Sequence, residues 1–564
     1  MKRLSVITLL ILFITSLVAA QKPAQPVQDV SNDPVQKRLE RGLKSSEFYS
    51  FYLIDKAHSE PDRIHDHLTK AVRISPNLPA AYFHLAWVTI TTSPANFIES
   101  LNYLLRGFSA YARNFFWSFN LIGIIFMGLS AAFAVTIAIV VIVRLPSDMP
   151  LISHEIKEEN KKFFQILLLL FLSAFGPLYF IGAALMLISA YFRKNDLVIS
   201  YAFFIALILL PILLKPVEMF ISAELSPSLK AVVAVNEGKD NKYAIGVLST
   251  AEEKPELFSY ALALKREGRI GDAIAAYNKL LEKQPNDPRI YNNLGNCYAI
   301  AGQIENAIAM YEKANNIKPH VTAYYNLAQA SRELLRFEDG DKFYDEARRL
   351  DAGAVTAFRE NSSRIPNLYF IDELLGFGDF FRLALKSSGT RLFSLSLVPF
   401  WFTPLIGLII MVSFVSLNKK RDNKAYRCKR CGAIICPKCD RSIKAGEMCQ
   451  DCVASLVTLE KDPRDRIAKV MAVQDKKKSR KWVLFFLTLV MPGANLIYAG
   501  RILAGAIMTF FFITPLTLLV VSLFYRISIY PFTHSWLMFM VIAVTLLFYF
   551  INITMSRRFL KRWV

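Results

Sequence analysis

The chain has 564 residues, 54% of them hydrophobic and 13% aromatic against 20% charged, and its mean hydropathy is +0.32. That balance excludes a wholly water-soluble globular protein, because a bilayer must take part of so much apolar surface. The formal net charge of +21 does not in itself indicate nucleic-acid binding, since residues 418–481 alone hold 19 Lys and Arg against 8 Asp and Glu between apolar runs.

At the start, MKRLSVITLLILFITSLVAAQ has a basic tip, an apolar run and the small-residue boundary Val18-Ala19-Ala20. Residues 1–20 therefore read as a secretory signal, with an uncleaved anchor as the alternative; either would export the adjoining segment. Residues 21–114 are then an extracytoplasmic, helical segment. Within it KAVRISPNLPAAYFHLAW has the form of a helix end, a Pro-rich turn and a new helix, and is expected to form one degenerate helical repeat. His58, His65, His67 and His84 crowd here without a cysteine or a ligand spacing and read as surface and packing residues.

Phe115–Val143 carries no charge and is long enough to cross hydrocarbon. Phe163–Phe192, with Gly176-Pro177 inside it, and the shorter Leu197–Leu214, with Pro211 near its end, complete a membrane region at 115–214 of two or three spans. Another span is expected at 392–417, and 482–564 holds two or three more: Leu503–Tyr525, Trp536–Thr554, and Trp482–Tyr498, which is short, contains Pro492-Gly493 and reads as half-buried or re-entrant. The class is mainly α: polytopic membrane helices, a helical-repeat domain and a small metal module.

Between the membrane regions, residues 215–391 show self-similarity at a period near 34, with copies at 254–287, 288–320 and 321–353. The central copy presents Tyr291, Leu294, Gly295, Tyr298, Gly302, Ala307, Tyr311, Ala314 and Pro319; the preceding one Leu257, Ala261, Leu264, Gly268, Ala273, Tyr277 and Pro285. The third keeps Tyr324, Leu327, Ala328, Tyr344 and Ala347, but its glycine and proline have drifted. Small residues let paired helices approach, aromatics fill the gap to the next pair and proline stops the second helix. Segments 230–249 and 355–359 are expected to cap the stack. This pattern resembles the tetratricopeptide-repeat family over about 100 residues. The resemblance implies a concave face that holds a partner's peptide or helix. Asn292, Asn293, Asn296, Asn326 and Gln329, as exposed polar positions on the first helix of each pair, are its candidate lining; asparagine in this family often clamps peptide backbone. Cys297, alone inside a repeat helix, reads as a buried structural thiol.

The other six cysteines form three C-x2-C pairs, Cys428/Cys431, Cys436/Cys439 and Cys449/Cys452, with a glycine after the first. Each pair is a knuckle that offers two thiolates to a zinc tetrahedron. Six ligands do not fill two sites, so one structural zinc is expected, supplying folding free energy to a segment with little apolar core. The stretch resembles bacterial zinc ribbons and half of a B-box-like module, which implies Cys428, Cys431, Cys449 and Cys452 as ligands; a compact set of the first four cysteines is the alternative. The basic segment 418–481 is expected in the cytoplasm, where thiols stay reduced and anionic lipid headgroups lie near. Pro492, Gly493, Tyr498, Gly500, Arg501 and Gly505 also resemble the hairpin of small two-helix membrane domains.

Counting spans between an exported amino-terminal segment and a cytoplasmic cysteine module gives four, one too many for that orientation. Leu197–Leu214 is the weakest; without it the repeats face the periplasm of a bacterial-type inner membrane. No H-E-x-x-H, G-x-S-x-G, phosphate-cradling or dinucleotide motif occurs in a suitable context, so no enzyme active site is expected. These features favour a membrane-anchored scaffold that binds a protein partner. A transporter or channel component, or a zinc or redox sensor using Cys436 and Cys439, are the alternatives, and nucleic acid is not the expected partner.

Overall fold

The computed structural model describes residues 43–155, 176–239, 243–364, 369–387, 402–419, 425–428, 434–435, 463–524 and 531–562. The proposed signal at 1–20 and most of the cysteine segment lie outside them. The chain divides into two compact units, residues 1–121 with 219–389 and residues 122–218 with 390–564.

The first unit begins with two helix hairpins. α1 (Glu47–Ser59) pairs with α2 (Ile64–Ile74), and α3 (Pro79–Thr92) with α4 (Phe97–Ala112). The sequence pattern shows one repeat here; the Glu60-Pro61 turn ends α1 as effectively as the Pro-rich turn before α3. His67 and His84 are packing residues, His67 bonded to Glu60 at 2.9 Å and His84 buried with an edge-on ring contact to His58. α5 (Phe115–Glu155) then leaves this unit. The chain returns along α8 (Leu210–Leu225), which follows α6 (Pro177–Ser189) and α7 (Leu197–Ile208), and enters α9 (Pro227–Asn236) under a Ser226 cap on the Leu229 amide.

After α10 (Ala244–Leu248) come three helix pairs: α11 (Lys254–Arg266) with α12 (Ile270–Lys283), α13 (Pro288–Ile300) with α14 (Ile304–Ile317), and α15 (Val321–Glu333) with α16 (Phe337–Leu350). The spaced small and aromatic residues meet as their types require. Tyr277, Tyr311 and Tyr325 are fully buried. A Cβ added to Gly295 would lie 2.5 Å from the Tyr311 ring, so glycine is what lets α14 seat against α13. Gly268 and Gly302 turn the chain between paired helices with φ of +82° and +77°; the third copy makes the same turn with Leu335 at +58°. α17 (Ala352–Arg364) and α18 (Phe377–Ser387) complete the unit. The caps expected at 230–249 and 355–359 thus correspond to α9 with α10 and to α17.

The amino-terminal hairpins are tied to α9 by backbone. Lys44 and Ser45 amides donate to the Gly238 carbonyl at 2.7 and 3.1 Å. Lys239 pairs with Glu47 and Glu237 at 2.9 and 2.8 Å and donates to Asn114. Burial pulls the Lys239 pKa down, but the two carboxylates outweigh it and hold it above the ordinary value.

Phe115–Leu151 within α5, most of it in the second unit, and Ile502–Leu523 within α22 (Ile502–Phe524) are long and apolar enough to cross a bilayer. The Leu197–Leu214 run is not one straight helix, because Lys194–Ile208 and Leu210–Leu225 meet at 65°. α6 is shorter than the run expected at 163–192 among the described residues, and α19 (Thr403–Lys419) covers the described part of the 392–417 span. β1 (Tyr426–Arg427) and β2 (Ile434–Ile435) pair antiparallel. α20 (Pro463–Val490) stops at Met491–Gly493, leaving the short α21 (Ala494–Tyr498), so Trp482–Tyr498 is a broken segment; α23 (Pro531–Arg562) closes the chain. Gly493, at φ +90°, has the Gly505 carbonyl almost where a Cβ would stand, and Thr509 donates to the Pro492 carbonyl at 2.9 Å. The Pro-Gly and Gly505 elements of the hairpin motif are therefore a backbone-on-backbone contact that side chains would forbid.

Candidate peptide groove and its resident strap

The first helices of successive pairs, α11, α13 and α15, together with α9, line one face of the repeat stack. Asn292, Asn293 and Asn296 come from α13 and Asn326 from α15. The sequence pattern places them on an exposed face, yet each is completely buried. What covers them is the protein itself. Residues 369–376, a bend followed by backbone that is neither helix nor strand, form a strap across the face ahead of α18.

The strap is held through its main chain. Asn326 accepts the Ile371 N–H at 2.8 Å and donates to the Ile371 carbonyl at 2.8 Å. Asn293 does the same for Glu373, accepting its N–H at 2.8 Å and donating to its carbonyl at 2.9 Å. Asn236 accepts the Leu375 N–H at 2.8 Å. Alternate residues 371, 373 and 375 are thus read by α15, α13 and α9 in turn, which is the period-two pattern of an extended chain. Asn292 and Asn296 also donate to the Ile371 carbonyl, at 3.1 and 2.9 Å. Behind them the asparagines order one another: Asn326 donates to Asn292 and Asn296, and the Tyr311 hydroxyl donates to Asn296 at 2.8 Å.

Three side chains of the strap add identity. Asp372 pairs with Lys265 and accepts from Asn296 at 2.9 Å, with both members of the ion pair less than a tenth exposed. Burial pushes the Asp372 carboxyl up, and Lys265 with Arg266 more than reverses that, leaving it below the usual carboxylate range. Phe370 stacks on Tyr311 with ring centroids 6.3 Å apart. Glu373 reaches His320 at 3.1 Å, and beyond the strap Asp379 at the start of α18 meets Arg289 at 2.9 Å. The face thus holds the strap's main chain through side-chain amides and pairs its Asp372 and Glu373 carboxylates with Lys265 and His320.

The repeat stack has counterparts among known proteins. Residues 261–319 match the tetratricopeptide repeat family. This part of the chain is a tetratricopeptide-repeat domain. The protein is 33% identical over 122 residues to the mitochondrial import receptor subunit TOM70 of Saccharomyces cerevisiae, in two strains, an alignment covering 20% of this chain and 19% of each receptor. The chain therefore spans about a fifth of those relatives. The crystal structure of yeast Tom70 is 13% identical, covers 77% of this chain and 96% of its own, and superposes with a TM-score of 0.21, too low to bear on the arrangement here.

Of the candidate lining of the tetratricopeptide-repeat groove, four asparagines converge on the strap; Gln329 is buried a turn further along α15 and is not among the strap's hydrogen-bond partners between described residues. Sequence reading misses Asn236, Lys265 and the strap. Asp372, Glu373 and Asp379 stand out in the sequence only as charge offsetting Arg382, Lys386 and Arg391; the first two are instead groove contacts. Cys297 lies buried on α13, and burial pushes its thiol up to about 12. Of the metal candidates, Cys428 is fully buried directly after β1, and the other five cysteines lie outside the described residues. Among the described residues no group of three or more metal-ligating side chains occurs.

Proposed function

We propose that the chain is a membrane-anchored interaction adaptor that holds an extended segment of a protein partner on the inner face of its repeats. The asparagine ladder carries this reading: paired amides aimed at alternate backbone groups are a peptide-binding device, and the strap displays the conformation they accept. The similarity to proteins named as import receptor subunits favours the same class of work. Catalysis plays no part in the proposal.

Anchoring rests on α5 and α22, which are long and apolar enough to span. The orientation follows from charge: an exported amino-terminal segment and a cytoplasmic basic segment 418–481, in a bacterial-type inner membrane. In that segment one zinc ion holds the fold. A buried Cys428 at the end of β1, with the C-x2-C-Gly sequence lying between two paired strands, suits a thiolate knuckle. The surrounding Lys and Arg then meet anionic headgroups.

The adaptor reading is tested with a photo-crosslinking residue in place of Tyr291 on α13, in membranes carrying the full chain. Discrete adducts with another protein that disappear with Asn293→Ala plus Asn326→Ala are expected. No adduct, together with solute flux in reconstituted vesicles, overturns the adaptor in favour of a transporter.

A further inference from the structure

We propose that the strap is a displaceable occupant, and that the groove exchanges residues 369–376 for a partner segment that is extended, carries an aspartate in the place of Asp372 and an aromatic residue two positions before it. This deepens the adaptor reading and rests on it.

Three observations lead there. First, most of the recognition is blind to sequence: the N–H groups of Ile371, Glu373 and Leu375 go to Asn326, Asn293 and Asn236, and any extended segment offers the same groups at the same spacing. Side-chain selection is added chiefly by Phe370 on Tyr311 and Asp372 on Lys265, with Glu373 on His320. Second, the walls are amides. Asparagines satisfy the buried backbone groups of whatever extended segment lies there and can return to water when the occupant leaves. Third, the strap ends at Gly376, directly before α18, where an added Cβ would meet nothing within 4 Å. Packing does not require glycine there, and a residue without a Cβ gives the junction between strap and α18 more conformational freedom than any other would.

A tethered segment competes at an effective concentration on the order of millimolar. Weak peptides are therefore excluded, and a partner must match the aspartate and the aromatic or bring contacts beyond the strap. The structure thus contains both the site and a threshold for using it.

The probe is a fluorescent peptide of the strap sequence, YFIDELLG, added to the full chain in detergent. In a chain carrying Ile371→Pro and Glu373→Pro, which removes two donors while leaving the segment extended, the peptide is expected to bind at least tenfold more tightly than to the unaltered chain. Adding Asn293→Ala and Asn326→Ala should abolish binding, and an Asp-to-Asn peptide should bind about tenfold more weakly. In the unaltered chain, millimolar peptide should speed hydrogen exchange at the amides of Ile371, Glu373 and Leu375. Unchanged exchange there, with no gain in binding to the proline variant, makes the strap a permanent part of the fold and overturns the proposal. Should the proline variant lose its helical signal, the exchange measurement on the unaltered chain decides alone. Crosslinks from Tyr291 without peptide exchange would leave the adaptor standing and remove the exchange. Peptide exchange without crosslinks would do the reverse.

Discussion

Asn326 and Asn293 each turn one side-chain amide to both the N–H and the carbonyl of a single strap residue, the pairing a neighbouring β-strand makes with its main chain. Removing such a group strands two buried backbone partners, so Asn293→Ala should lower stability by about 1–3 kcal/mol in denaturant titrations of the repeat domain within the full chain. Gly295→Ala places a methyl group against Tyr311, whose hydroxyl orders Asn296 and whose ring supports Phe370, and should cost a similar ~1–3 kcal/mol while also loosening the strap. Acid acts elsewhere. Burial first, then the charge of His58, depress His84 from its ordinary 6.5 to about 3, so its folded state binds fewer protons than its unfolded state. Stability is then fully present above pH 6.5 and falls by up to about 1.4 kcal/mol per pH unit below it. Asp372 is also depressed, from an ordinary 3.8, and its contribution is lost only below that value. Between pH 7 and 5 the amino-terminal hairpins should therefore lose stability while the strap keeps its ion pair, and His84→Leu should flatten the pH dependence in thermal melts. Cys297, with its thiol raised to about 12, should resist alkylation at pH 8 until the repeats unfold.

At the scale of elements, the repeat helices are legible because small and aromatic residues recur at a spacing that only a helix pair satisfies; Ala307, Tyr311 and Leu327 pack together as that spacing requires. The strap is not legible. Seven residues such as YFIDELL carry no helical period and no strand partner in sequence, and their partners are asparagines that look like an ordinary solvated helix face until the strap is in place. The amino-terminal hairpins are half legible, since the SPNLP turn stands out and the Glu60-Pro61 turn does not. The drifted glycine of the third copy has a physical consequence that sequence only hints at. Leu335 takes the left-handed turn that Gly268 and Gly302 take elsewhere, with its side chain largely exposed. Leu335→Gly should relieve that strain and stabilise the repeats by about 1 kcal/mol, read as a rise in melting temperature.

For the whole molecule, four apolar runs lie between the amino-terminal segment and the cysteine module where charge logic allows three spans. The 65° break between Lys194–Ile208 and Leu210–Leu225 marks the same run that the count makes weakest. A compartment reporter fused after Ala352 should accordingly be active outside the cytoplasm, and one fused within 418–481 inside it. Mass spectrometry of the native chain should find one zinc per protein, lost with Cys428→Ser. The central claim, that the repeat face is a backbone-reading peptide site, is tested most directly by hydrogen exchange at the amides of Ile371, Glu373 and Leu375 in the full chain. The account predicts slow exchange there that becomes fast in Asn293→Ala plus Asn326→Ala while α13 and α15 stay protected. Fast exchange of those three amides in the unaltered chain would contradict it.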